Sequence, residues 1–195
     1  MWWEPAGVSL ALIVLAEMGD KSQFVCMALA ARHGRARPVL FGAVVAFGLL
    51  NGMAVLFGSS LAKWLPQAWV LAAMAALFAA FGIHALWQRA ADADQATAEI
   101  SGHGLFLTAF LMLFVAELGD KTQFAVAGLA GIYAPTGVWL GATLALVLTS
   151  AAGVLLGKTV LRRLPIIWLH RVSGGLFLAL SALALWRLME TIGPQ

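Results

Sequence analysis

Two stretches of this chain carry charge where charge is least expected. Glu17, Asp20 and Lys21 lie within AEMGDKSQF, and Glu117, Asp120 and Lys121 lie within AELGDKTQF, each in the middle of a long apolar run. On a helix turning about 100° per residue, the aspartate stands about 60° to one side of its glutamate and the lysine about 40° to the other, so the three share one face. If the two faces meet, four carboxylates converge, with Gln23 and Gln123 at the edge as neutral oxygen donors. Oxygen ligands without imidazole or thiolate suit Ca²⁺, Mg²⁺ or Mn²⁺ rather than Zn²⁺ or Cu⁺. Four carboxylates and two ammonium groups leave two negative charges, the complement of one divalent cation. Once that cation departs, crowded and poorly solvated carboxylates should take up protons, because like charge and desolvation both disfavour the ionised form. Competition between metal and protons at one site is the chemistry of metal/proton antiport.

Neighbouring residues form a second tier. Gly19 and Gly119 would either let the helix unwind, offering carbonyls to an ion, or only permit close packing. Ser22 and Thr122 point away from the glutamates on an ideal helix, so they become ligands only if the helix is broken there. Lys21 and Lys121 either gate the site, each pairing with an acid when its own side closes, or form static salt bridges. Asn51 and Ser150 occupy matching places further along each half and would line the ion path or, more simply, hydrogen-bond between helices. Cys26, nine residues after Glu17, falls on the opposite side of an ideal helix and reads as a small packing residue. His33, His84, His103 and His170 lie in loops or near helix ends, apart from the acids.

The elements that position these groups follow from composition. Of 195 residues, 62% are hydrophobic and 11% charged, against about 25% charged in a soluble domain. A membrane core about 30 Å thick takes about 20 apolar residues per helix, so the chain has room for six spans. The apolar runs place them near 6–31, 39–62, 67–88, 104–131, 136–157 and 166–189. The expected class is an all-α membrane protein in the lipid bilayer, with no strand-like alternation. Facing lipid, six central charges would cost about 15–20 kcal/mol at about 2.5–3.5 kcal/mol each, so they must face one another. Basic residues are split among loops, with no continuous patch for nucleic acid. The N-terminus has no basic stretch before its apolar run, so the first span reads as retained.

The motif recurs after about 100 residues, and of eight positions from Glu17 only two differ in the second copy. At a separation one residue shorter, Gly42 matches Gly141, Asn51 matches Ser150, Gly58 matches Gly157, Pro66 matches Pro165 and Trp87 matches Trp186. The chain thus divides into a three-helix repeat over 1–88, an acidic linker over 89–103 holding Asp92, Asp94 and Glu99, and a second repeat over 104–195. An odd number of helices per repeat makes the second copy inverted, the usual framework for alternating access. Loops one, three and five gather Arg32, Arg35, Arg37, Arg89, Lys158, Arg162, Arg163 and the nearby Arg171, whereas the other side has Lys63 and Arg187. The positive-inside rule then makes the odd loops cytoplasmic and both termini external, with Trp2, Trp3, Trp64 and Trp69 as interface anchors. The spacings Gly48–Gly52 and Gly153–Gly157 suit close helix contact inside the bundle or at a homodimer seam.

Two E-x-G-D-[KR]-[ST] motifs, one per half and both matched without departure, resemble the GDT-type family of cation/proton antiporters, and the resemblance covers essentially the whole chain. It implies transport of Mn²⁺, and in some members Ca²⁺, with protons as counter-ion and the motif acids as the path. The resemblance extends to bacterial manganese exporters, hence to an inner-membrane location with no permanent cofactor and no enzymatic activity. A Ca²⁺/H⁺ antiporter is the nearest alternative, followed by a passive cation channel, since a ring of carboxylates also selects cations. An intramembrane aspartyl protease using Asp20 and Asp120 would leave the glutamates, the glutamines and the inverted repeat without a task.

Overall fold

A computed structural model describes residues 3–87, 104–161 and 166–192. The acidic linker with Asp92, Asp94 and Glu99 lies outside them, as do Trp2, Arg89, His103, Arg162, Arg163 and Pro165. The described residues are helical with no strand, in eight helices: α1 (Trp3–Glu17), α2 (Lys21–His33), α3 (Ala36–Trp64), α4 (Gln67–Trp87), α5 (Leu105–Glu117), α6 (Lys121–Ile132), α7 (Pro135–Leu161) and α8 (Ile166–Ile192). Two apolar runs that the sequence reads as single helices are therefore each two, broken at 18–20 and at 118–120. α3 and the Pro135–Leu155 part of α7 are long and apolar enough to cross a membrane by length and composition.

Local chemistry fixes the other boundaries. α2 runs two residues beyond its apolar stretch, through Arg32 and His33, and stops at Gly34 with φ 63°, a left-handed cap that glycine adopts without a Cβ penalty. α3 ends at Trp64 because Leu65 precedes Pro66 and is extended at φ −99°, ψ 143°, as a residue before proline prefers. Pro135 opens α7 at the position where a missing N–H leaves no intrahelical bond unmade.

Packing interlocks the halves. α1 and α2 of the first half lie on α7 of the second, and α5 and α6 of the second lie on α3 of the first. α3 also crosses α7, and α4 pairs with α8. Small residues permit these approaches, as expected where dispersion rather than water exclusion drives association. A Cβ on Gly42 would stand 2.7 Å from the Phe106 carbonyl oxygen of α5, and one on Gly141 would stand 2.2 Å from that of Ala6 in α1. The two crossings are counterparts under the sequence repeat. The α4–α8 crossing has the same property: Gly82 meets Gly174, while the Ser181 hydroxyl donates to the Ala75 carbonyl at 2.7 Å, and the repeat exchanges these two contacts. Gly48 and Gly52 lie against the Trp139 ring, whose Nε1 donates to the Gly48 carbonyl at 2.8 Å, so this spacing serves an intrachain contact. Large apolar side chains such as Phe41, Leu56, Phe57, Val115 and Leu155 point outward. Inside lie Phe47, Leu12, Ile13, Leu113, Leu129 and Val39, and among them several polar side chains.

Candidate cation site

The two helix breaks have one construction. Gly19 takes φ 88° and Gly119 φ 77°, values that penalise any L side chain by about 1–2 kcal/mol, so the glycine inside each motif is what lets the helix stop and restart. The Gly19 N–H donates to the Gln23 side-chain oxygen at 3.1 Å and the Gly119 N–H to that of Gln123 at 2.9 Å. The Asp20 and Asp120 amides return to the Glu17 and Glu117 carbonyls at 3.1 and 3.2 Å. Both aspartates stand at the extended position opening α2 and α6, and the Asp20 carboxylate accepts from the Lys21 N–H at 2.7 Å. The glutamines thus fasten the breaks, each with one lone pair of its oxygen already engaged.

The break also turns the residues after it. On a continuous helix Thr122 would point away from the acids. In the structure its hydroxyl donates to Glu17 Oε1 in the other half. Ser22, its counterpart, is buried with no hydrogen-bond partner. Glu17 is wholly buried at the end of α1, and Glu117 lies 4% exposed at the end of α5. The second oxygen of Glu17, Oε2, has no partner either. An unsatisfied buried polar atom costs about 1–3 kcal/mol, more when charged, so this oxygen is available to a proton or a cation.

Ligand atoms of Glu17, Asp20 and Asp120 lie within 4.8 Å of one another, two from the first half and one from the second. Glu117 is buried nearby, outside that set. Lys121 reaches into the three: its ammonium contacts Asp20 directly and stands 3.4 Å from Glu17 Oε1 and 3.7 Å from Asp120 Oδ2. Lys21, identical in motif position, is exposed. Three oxygen donors from two interlocked halves can hold a hard cation or, in its place, an ammonium group.

The remaining candidates fall nearby. Asn51 donates to the Thr143 hydroxyl at 3.1 Å, joining α3 to α7. Thr143 escaped the sequence reading because it aligns with Val44, so the repeat gave no signal for it. Ser150 is buried. Cys26 is fully buried, and the His33 ring lies 3.0 Å from the Leu29 carbonyl oxygen at the end of its own helix. The side chains of His84 and His170 lie outside the described residues.

Comparison with known proteins bears on both motifs. The profile of a family described as "Divalent cation/proton antiporter GDT1" matches residues 5–93 and 105–192. A Vibrio cholerae protein named as a candidate manganese exporter is 33% identical, over 89% of this chain and 86% of its own length. A GDT1-like protein of Synechocystis is 32% identical over 91% of this chain and 94% of its own. A GDT1-like protein of Oryza sativa is 30% identical over 87% and 89%. No solved structure matches.

Proposed function

The chain belongs to the GDT1 family of divalent cation/proton antiporters, and on that premise we propose that it expels Mn²⁺ from the cytoplasm in exchange for protons, by alternating access. The family consists of membrane transporters, not enzymes, and its cargo is a divalent cation and a proton. One observation carries the reading to particular residues: Glu17, Asp20 and Asp120 converge from two halves of a largely apolar chain, with a buried Glu17 oxygen left without a hydrogen bond. The metal path comprises Glu17, Asp20, Glu117 and Asp120, with Ser22 and Thr122 brought inward by the breaks and Gln23 and Gln123 at its edge.

In this reading the chain crosses a bacterial inner membrane six times, as inverted repeats over 1–88 and 104–195 joined by a cytoplasmic linker. Each broken helix counts as one span, both termini are external, and the odd loops are cytoplasmic. The matched glycine crossings on α3 and α7 support the repeat, the outward apolar side chains support a lipid surface, and the arginines of loop one support the orientation. Mn²⁺ is preferred to Ca²⁺ through the similarity to the Vibrio protein. Carboxylate chemistry admits both, and Ca²⁺/H⁺ exchange is the second reading.

The test is Mn²⁺ and Ca²⁺ flux with internal pH in proteoliposomes, comparing the intact protein with Asp20→Asn and Asp120→Asn. Uphill metal movement with opposite proton movement, lost in both variants, is the expected result. Flux that only dissipates a metal gradient would establish a channel. Unchanged flux in the variants would remove the site from these residues.

A further inference from the structure

Resting on the antiporter reading, we propose that the Lys121 ammonium is a tethered substitute for the cargo: it takes the cation's place among Glu17, Asp20 and Asp120, and it must swing out for a divalent ion to bind. The placement makes the case. Its Nζ lies within 3.7 Å of all three carboxylates, the same three whose ligand atoms sit within 4.8 Å of one another. An ion bonded to these oxygens at about 2.0–2.6 Å would draw on the same carboxylates that the ammonium already contacts. Ammonium has no lone pair to offer a metal, so the two cations would meet without a ligand between them. Charge balance alone would let Lys121 stay, since three carboxylates match an ammonium plus a divalent ion. Competition for the same oxygens does not.

A static salt bridge is the competing account, and the repeat argues against it. Lys21 has the same neighbours in sequence and the same broken helix ahead of it, yet it is exposed and makes no ion pair among the described residues. The motif therefore accommodates its lysine outside the acid cluster, and Lys121 has an equivalent position to move to. Lys121 is also 23% exposed, so it is not sealed inside the cluster. When the metal leaves, the returning ammonium offsets one of the three carboxylate charges, and protons offset the rest. Selectivity follows, because a monovalent ion offers the carboxylates no more charge than the lysine it would displace.

Two measurements on the purified full chain decide the matter. In the unaltered protein, amine-reactive labelling followed by mass spectrometry should modify the exposed Lys63 readily with or without Mn²⁺, while labelling of Lys121 rises several-fold at saturating Mn²⁺. Second, Lys121→Met and Lys121→Gln should bind Mn²⁺ at least about tenfold more tightly than the parent, whereas Lys63→Met, at an exposed position in the last turn of α3, leaves affinity unchanged. Mn²⁺ binding that is abolished in Asp20→Asn, with Lys121 labelling flat and affinity in the lysine variants equal or weaker, would overturn the tethered cation and leave the antiporter standing. No Mn²⁺ or Ca²⁺ binding by the parent protein would overturn both. The labelling arm needs no substitution, so a variant that fails to fold does not spare the proposal.

Discussion

Replacing Gly119 by alanine isolates the helix break from every other feature of the site. No heavy atom lies within 4 Å of where the new methyl group would sit, so the substitution adds no clash. What it adds is a Cβ at φ 77°, penalised by about 1–2 kcal/mol. Alanine also favours the uninterrupted α5–α6 helix over glycine by about 1 kcal/mol. Together these shift the balance between broken and continuous forms by about 2–3 kcal/mol, or about 30- to 150-fold at 1.4 kcal/mol per tenfold. Straightening would rotate Lys121 and Thr122 away from Glu17 and Asp20 together. We therefore expect Gly119→Ala to lower Mn²⁺ flux in proteoliposomes at least about tenfold while the protein remains folded and monodisperse. Gly119→Asn, which tolerates the left-handed region better, should recover part of the loss. Gly7→Ala serves as control, since its Cβ would also meet nothing within 4 Å and its backbone is ordinary helix; it should transport as the parent does. Parental flux in Gly119→Ala would refute the claim that the break builds the site.

Thr122→Val removes the hydroxyl that donates to buried Glu17. At about 1.5–3 kcal/mol for a hydrogen bond to a charged group, Mn²⁺ affinity by titration should fall about 10- to 100-fold, and Thr122→Ser should retain most of it. Gln123→Leu leaves the Gly119 N–H without its acceptor and should reproduce the Gly119→Ala defect more mildly, with a loss of about 1 kcal/mol seen as several-fold slower flux. Gly58→Ala places a methyl group 2.0 Å from the Ala127 carbonyl oxygen. Forced separation of α3 from α6 should cost about 1–3 kcal/mol or more and lower the melting temperature in detergent, whereas Gly7→Ala should not. Mn²⁺ at one hundred times its dissociation constant should stabilise the parent by about 2.7 kcal/mol, read as a rise in melting temperature that Asp20→Asn lacks.

The carboxylates could be singled out from sequence because ionised groups in an apolar run have few reasons to exist. Their duplication made the reading specific, and the structure brings three of the four into one cluster. The breaks were harder to see. An apolar run of 26 or 28 residues reads as one helix, and Gly19 reads equally as a hinge or a packing residue until φ is known. Everything that depends on the break was hidden with it. Thr122 looks misdirected on a regular helix, and the glutamines look like free oxygen donors until Gly19 and Gly119 claim one lone pair each. Pairings between halves follow from three-dimensional packing, which no spacing encodes. Asn51 was visible as a buried polar residue, but its partner Thr143 stands opposite a valine in the repeat.

The two halves are alike in sequence at the motif but not in what surrounds it. Lys121 is seated among acids while Lys21 is exposed. The difference continues away from the site. On α6, Gly128 and Gly131 are covered by Met74 and Val70 of α4, whose side chains approach within 3.3 and 3.2 Å of a notional Cβ. The matching residues of α2, Ala28 and Ala31, instead line a groove of about 550 Å³ with Met27, Gly34 and Val154. If the chain alternates as proposed, a second arrangement would exchange the roles of the halves. There, Lys21 would sit among Asp120, Glu117 and Asp20, the groove would close over α2, and its counterpart would open over α6. The interlocked packing would couple the halves in such an exchange, because α1 and α2 rest on α7, and α5 and α6 rest on α3. Alternation at the site and at the surface would then be one movement, with the lysine that stands among the acids marking its direction.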